Sequence, residues 1–224
     1  MDRESLESAY RAAFFLTASR IDATRLVEQT LSVVALARYE PTTRTLLGVM
    51  ARQVEKEPAK RTARAMDELI QLRSESVTVK RPPAGVLAWE CKRHCLSRVL
   101  GTLTGACRST FVLSHIFAIA PSEAAALLEI QESAFRVRLS RALRRVEEFL
   151  APRCEHVTRE NPCSCEDVGV AWLEGGHLDY LWDHDTPPTN YAADGPIPDV
   201  PLLFRRLPAP RLTEQEIERL LGMG

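Results

Sequence analysis

Four residues between positions 154 and 165 have the right types to hold a metal ion: Cys154, His156, Cys163 and Cys165. Sulfur and imidazole nitrogen are the donors zinc prefers, and four of them in one short segment fit a tetrahedral site for one zinc ion. Asn161-Pro162 favours a turn that returns the second pair of donors toward the first. His177 is a substitute ligand. The Cys-x-His-x6-Cys-x-Cys spacing also suits free thiols in a loop, in which case the segment would report redox state, and both readings stay open. Cys91, His94 and Cys95 share one helical stretch, with the two cysteines four residues apart. Small buried cysteines are common in cores, so that trio reads first as packing. His115, inside an apolar segment, reads as a core residue. No nucleophile–base pair, phosphate-cradling glycine loop or metalloprotease motif occurs, which disfavours an enzyme.

A second group of residues suits a polyanion. Arg136, Arg138, Arg141, Arg144 and Arg145 follow one another with no acid between Ser133 and Val146. Arginine neutralises phosphates and bonds bidentately to guanine. Upstream lies a short apolar helix opened by Pro121, with Glu123 at its positive end and Ala124, Leu127 and Leu128 on one side. Glu129-Ile130-Gln131-Glu132 then forms a polar break. The longer helix that follows spaces Phe135, Leu139, Ala142, Val146 and Phe149 along a core face. A short helix, a tight turn and a longer arginine-rich helix are the architecture of a major-groove reader, with Ser133 and the five arginines as DNA-binding candidates. A solvated basic face on a core helix would have the same composition.

The stretch RSTFVLSHIFAIAPSEAAALLEIQESAFRVRLSRALRRVEEFL closely resembles region 4 of the extracytoplasmic-function (ECF) sigma factors of bacterial RNA polymerase. Phe111, Val112 and Leu113 match the family's helix ending, Ile130 its turn isoleucine, and Phe135 to Ala142 its recognition helix. The resemblance spans Leu96 to Leu150 and implies contact with the upstream promoter element. Glu129 stands where the family has a turn glycine, and Ala120 where it has a capping Ser or Thr. The segment AFFLTASRIDATRLVEQTLSVVALARY resembles region 2 of the same family through Leu16, Thr17, Asp22, Ala23, Leu26, Val27 and Thr30. That likeness implies docking on core RNA polymerase through Arg25, Leu26, Val27, Glu28 and Gln29. Arg25 reverses the family's charge, and Glu28 and Gln29 stand in the opposite order. The next stretch, RTLLGVMARQVEKEPAKRTAR, lacks the aromatic residues that the family uses in opening the promoter. A bundle that only supports the second block is the alternative reading.

These residues need helices to position them, and Ala, Leu, Arg and Glu at three- and four-residue spacing predict an all-α protein of two small helical domains. Helices are predicted over Leu6–Ala18, from an N-cap at Asp22 to near Pro41, over Thr43–Val54 and over Lys60–Arg73. The organisation is a region 2-like bundle at 1–73, a linker at 74–85, a region 4-like helix-turn-helix domain at 86–152, a Cys/His segment at 153–177 and a Pro-rich acidic tail at 178–224. Seven of the 14 prolines lie between Pro187 and Pro210. Thr213 and Glu216 predict a capping box before a short terminal helix carrying Ile217, Leu220 and Leu221. Trp172, Tyr180 and Trp182 are expected to anchor the tail.

Charge is split along the chain. Residues 1–152 hold 23 Lys or Arg against 17 acids, and residues 153–200 hold two Arg against ten acids. A basic body favours a polyanion, for which the tail could compete. No apolar run approaches the ~20 residues that a membrane helix needs, and the polar N-terminus lacks a secretion signal, so a cytoplasmic protein is expected. The expected partners are promoter DNA, core RNA polymerase and an anti-sigma factor, with no membrane. The rival readings are a sigma-derived DNA-binding regulator that no longer initiates, and a zinc or thiol redox sensor.

Overall fold

The computed structural model describes residues 1–73, 84–178, 196–205, 207 and 211–223. Among them every regular element is a helix, and an isolated bridge pairs Cys154 with Cys163, so the protein is all-α. The first helix, α1 (Arg3–Thr17), starts where the Asp2 carboxylate accepts the Ser5 amide at 2.7 Å. It buries Leu6, Ala9, Tyr10, Ala13, Phe14 and Thr17, the three-and-four spacing of an amphipathic helix.

The second helix, α2 (Arg20–Leu36), begins earlier than the sequence predicts. Ser19 is its cap, and Asp22 lies in the first turn, where a carboxylate meets free amides and the positive helix end. Next comes α3 (Thr43–Val54), as predicted, capped by Thr42. The fourth helix, α4 (Ala63–Ile70), is shorter than expected. The amides of Lys60 and Arg61 bond the Gly101 carbonyl at 2.8 and 3.1 Å instead of a helical partner, and Thr62 supplies the cap. Together α1, α2 and α3 pack pairwise into a bundle.

Residues 74–83 of the predicted linker lie outside the described residues, and its last two open α5 (Ala84–Leu100). After Thr104 caps α6 (Gly105–Phe111), the helix widens into a π-turn over Val112–Ile116. Pro121 is the first residue of α7 (Pro121–Leu127), and Ala120 before it caps nothing with its side chain. A turn then leads into α8 (Glu132–Leu150), which buries Phe135, Ala142, Val146 and Phe149. Glu129 in that turn has φ 56°, a left-handed conformation that suits glycine better than glutamate.

The two helical blocks touch directly. A Cβ at Gly105 would lie 1.8 Å from the Val54 carbonyl oxygen, so only glycine lets α6 start this close to the end of α3. The Gly105 amide donates to the Glu57 carbonyl at 2.8 Å, and the buried Ser109 hydroxyl donates to the Ala51 carbonyl at 2.9 Å.

Beyond α8 the described residues pack back onto the helices before them. The ninth helix, α9 (Cys165–Glu174), lies along α5 and buries Trp172 completely, with the indole N–H donating to the Leu69 carbonyl at 2.8 Å. In α10 (Val200–Arg205), Phe204 meets Phe111 edge to face at 5.0 Å. The terminal α11 (Glu214–Leu221) has the predicted capping box and buries Ile217 and Leu220, docking against α1. Tyr180 and Trp182, the other expected anchors, lie outside the described residues.

Two local substitutions test this account. Glu129→Gly relieves the left-handed strain and should raise stability by ~1 kcal/mol. Ala120→Ser restores a cap to α7 and should add ~1 kcal/mol. Both gains should appear as a higher thermal midpoint, and an unchanged or lower midpoint for Glu129→Gly would contradict the strain.

Candidate functional site

The five arginines divide by environment. Arg136, Arg141, Arg144 and Arg145 are exposed on α8, along with Ser133. Arg136 leans back onto Glu132 one turn earlier, at 2.6 Å, and Arg144 reaches Glu148 at 3.6 Å. Exposed pairs of this kind are weak, so a stronger anion can replace the carboxylate. Arg141, Arg144 and Arg145 also line a concavity with Thr104 and Cys107. Arg138 differs. It is ion-paired with Glu55 just beyond α3, and both side chains are largely covered.

Other contacts hold the helix-turn-helix to the first block. Arg52 donates to the Leu127 carbonyl at 2.5 Å and pairs with Glu129 at 3.3 Å, while Arg44 meets Glu123 at 2.6 Å. Val137, which the sequence reading did not single out, is half exposed among the arginines. Its signal was simply its place on the outward face of α8, where an apolar side chain can contact a thymine methyl.

On α2 the residues matched by the region 2 likeness separate into two faces. Leu26 and Val27 are core residues, Arg25 and Gln29 are exposed, and Glu28 pairs with Arg219 of α11 at 2.7 Å. The outward stripe of α2 is Ile21, Arg25, Gln29, Val33 and Leu36, and Ile21 and Leu36 are 73% and 86% exposed. Two well-exposed large apolar side chains on one helix face suit a protein partner.

The Cys/His segment folds as the Asn-Pro turn predicts. The Asn161 side-chain amide donates to the carbonyls of Ala151 and Cys154 at 2.7 and 3.0 Å. Across the loop, the Cys163 amide donates to the Arg153 carbonyl at 3.0 Å, and the Glu155 amide to the Cys163 carbonyl at 3.3 Å. The Glu155 carboxylate accepts the Cys165 amide at 2.6 Å. Donor atoms of Glu155, His156 and Cys165 all lie within 4.8 Å of one another, a grouping able to hold a metal ion, whereas the Cys154 and Cys163 thiols of the expected ligand set lie outside it. His177 sits past the far end of the ten-residue α9, roughly 15 Å along the axis from Cys165, and is not part of the cluster.

No family model, curated protein or solved structure matches the chain. The chemistry must therefore be read from the residues.

Sequence reasoning missed how α5 enters this site. Cys91 and Cys95 are buried on α5, and Cys91 meets α9 where a Cβ at Gly169 would lie 3.2 Å from the Cys91 Cβ. The i,i+4 spacing was the available signal. Burial pushes the Cys154 and Cys163 thiols up to about 12, with neighbouring sulfurs adding to the effect. Burial also lowers His156 to about 4, helped by Lys92, so its imidazole is neutral at pH 7, the form that ligates metals. His115 is half-buried, with its ring 4.9 Å from that of Phe111, and burial and Arg205 hold it below its ordinary value.

Thiol accessibility provides a direct check. Treated with chelator and kept folded, the protein should react with iodoacetamide first at half-buried Cys107 and then at Cys163. Cys91, Cys95, Cys154 and Cys165 should stay protected until unfolding, because buried thiols are both shielded and protonated. Mass mapping that finds Cys165 labelled as fast as Cys107 would contradict the packing.

Proposed function

We propose that this chain is a sigma-like transcription initiation factor that binds core RNA polymerase and promoter DNA and carries a zinc-binding extension. The observation behind this reading is the exposed row of Arg136, Arg141, Arg144 and Arg145 on the second helix of a helix-turn-helix. Phosphate contacts from this row supply affinity, Val137 meets base edges, and Arg138 joins it once freed from Glu55. The outward stripe of α2 is the surface offered to the polymerase. The extension holds one zinc ion through Cys154, His156, Cys163 and Cys165, each thiol giving up its proton to solvent on binding.

A second reading, a DNA-binding regulator that no longer initiates, draws on α3. Helices that melt promoters capture and stack on bases, and α3 has no aromatic residue. Run-off transcription with core polymerase separates the two. Promoter-specific transcripts are expected, and DNA binding without transcripts would favour the regulator.

Changing Arg136 and Arg138 together to alanine should weaken promoter binding and flatten its salt dependence by about one ion's worth, from Arg136, since Glu55 already neutralises Arg138. Unchanged affinity across a salt series, in a folded double variant, would defeat the assignment. Glu55→Gln should act in the opposite direction. With the carboxylate gone, Arg138 is released to bind DNA, so affinity should rise and the salt slope steepen. Elemental analysis of the purified chain should find about one zinc per molecule.

A further inference from the structure

The backbone sets two of the extension's cysteines against each other. Cys154 and Cys163 are the partners of the isolated bridge. On one side of Cys154 the Cys163 amide donates to the Arg153 carbonyl at 3.0 Å, and on the other the Cys163 carbonyl accepts the Glu155 amide at 3.3 Å. The Asn161 side chain pins the turn between them through the Ala151 and Cys154 carbonyls. Directly paired residues on neighbouring strands lie ~4.8 Å apart and project to the same face. Disulfides join Cα atoms about 4.4–6.8 Å apart, so this pair can be bridged with the backbone in place. Both are free thiols, and neither belongs to the donor grouping of Glu155, His156 and Cys165. Cys165 instead opens α9, with its amide held by the Glu155 carboxylate, so the bridge selects Cys163 over Cys165 as the partner of Cys154.

We propose that Cys154 and Cys163 form a reversible disulfide, and that this bond and the metal ion exclude each other. The oxidant is a low-molecular-weight disulfide such as oxidised glutathione. The half-buried Cys163 sulfur attacks it, forming a mixed disulfide and releasing one reduced glutathione. The Cys154 sulfur, facing Cys163 across the bridge, then attacks the Cys163 sulfur and releases the second. Two electrons pass from the cysteine pair to glutathione, and the two thiol protons leave with the two glutathione thiols. A bridged pair has no thiolate to offer, so oxidation takes two donors from the four-ligand site and lets the ion go. Where the surroundings are reducing, such bonds are transient and regulatory rather than structural. The exclusion rests on the reading of the extension as a zinc site, whereas the pairing rests on the loop geometry alone.

The test equilibrates the full-length, chelator-treated chain with oxidised glutathione, then alkylates it on unfolding and maps its peptides by mass. Cys154 joined to Cys163 is expected, with Cys165 still alkylated and both thiols recovered after dithiothreitol. Cys163→Ser should abolish the intramolecular bond, and Cys165→Ser should form it as the wild type does. A bond from Cys165 to either cysteine, or Cys154 and Cys163 both still alkylated at equilibrium, would overturn the pairing. The zinc-loaded chain should release one zinc for each disulfide formed, read with a chromogenic chelator. A disulfide formed with zinc retained would overturn the exclusion. Failure to bind zinc at all would overturn the metal reading and the exclusion with it, while the peptide map still decides the pairing.

Discussion

Gly105 stands at a contact that admits no side chain, with the Val54 carbonyl 1.8 Å from where a Cβ would be. Because the end of α3 and the start of α6 meet there, the first helical block lies against the helix-turn-helix. The neighbouring bonds depend on that closeness. Arg108, buried and carrying the cost of desolvation, reaches Glu57 at 2.7 Å, and Ser109 reaches the Ala51 carbonyl at 2.9 Å. Removing one partner from a covered ion pair costs more than the pair contributes, so such contacts fix register and position more than they add stability. Arg138 is drawn toward Glu55 by the same arrangement.

The described residues after α8 complete the core rather than hang from it. Trp172 is fully covered, bonds the Leu69 carbonyl and lies under the Arg98 guanidinium at 5.0 Å. Arg153 bonds Asp67 at 2.6 Å and stacks on Phe149. These contacts bring the Cys/His loop against α4 and α5. The carboxylate meeting Arg138 comes from Glu55 in the first block. The terminal helix turns its charges toward α1 and α2, where Arg3–Glu214, Arg20–Glu216 and Glu28–Arg219 pair at 2.7 Å.

Burial also separates residues that a linear pattern treats alike. Arg25 to Gln29 are consecutive, but a helix turns 100° per residue, so Leu26 and Val27 face the core while Arg25 and Gln29 face outward. Helix α8 behaves likewise, with Phe135 fully buried and its neighbour Arg136 exposed.

Amphipathic spacing, capping residues and proline placement determined the all-α class, the Thr43–Val54 helix, the entry of α7 at Pro121 and the capping box at Thr213. Each depends on interactions within a few residues, which a sequence states directly. The strain at Glu129 was legible for the same reason. Tertiary structure decided which helices meet. The pairing of Arg138 with Glu55 spans 83 positions, and the approach of Cys91 to Gly169 joins two helices that share no local pattern. Their meeting follows from glycine-permitted helix crossings and from burial of Trp172, and such long-range packing is set by the summed shape of many side chains.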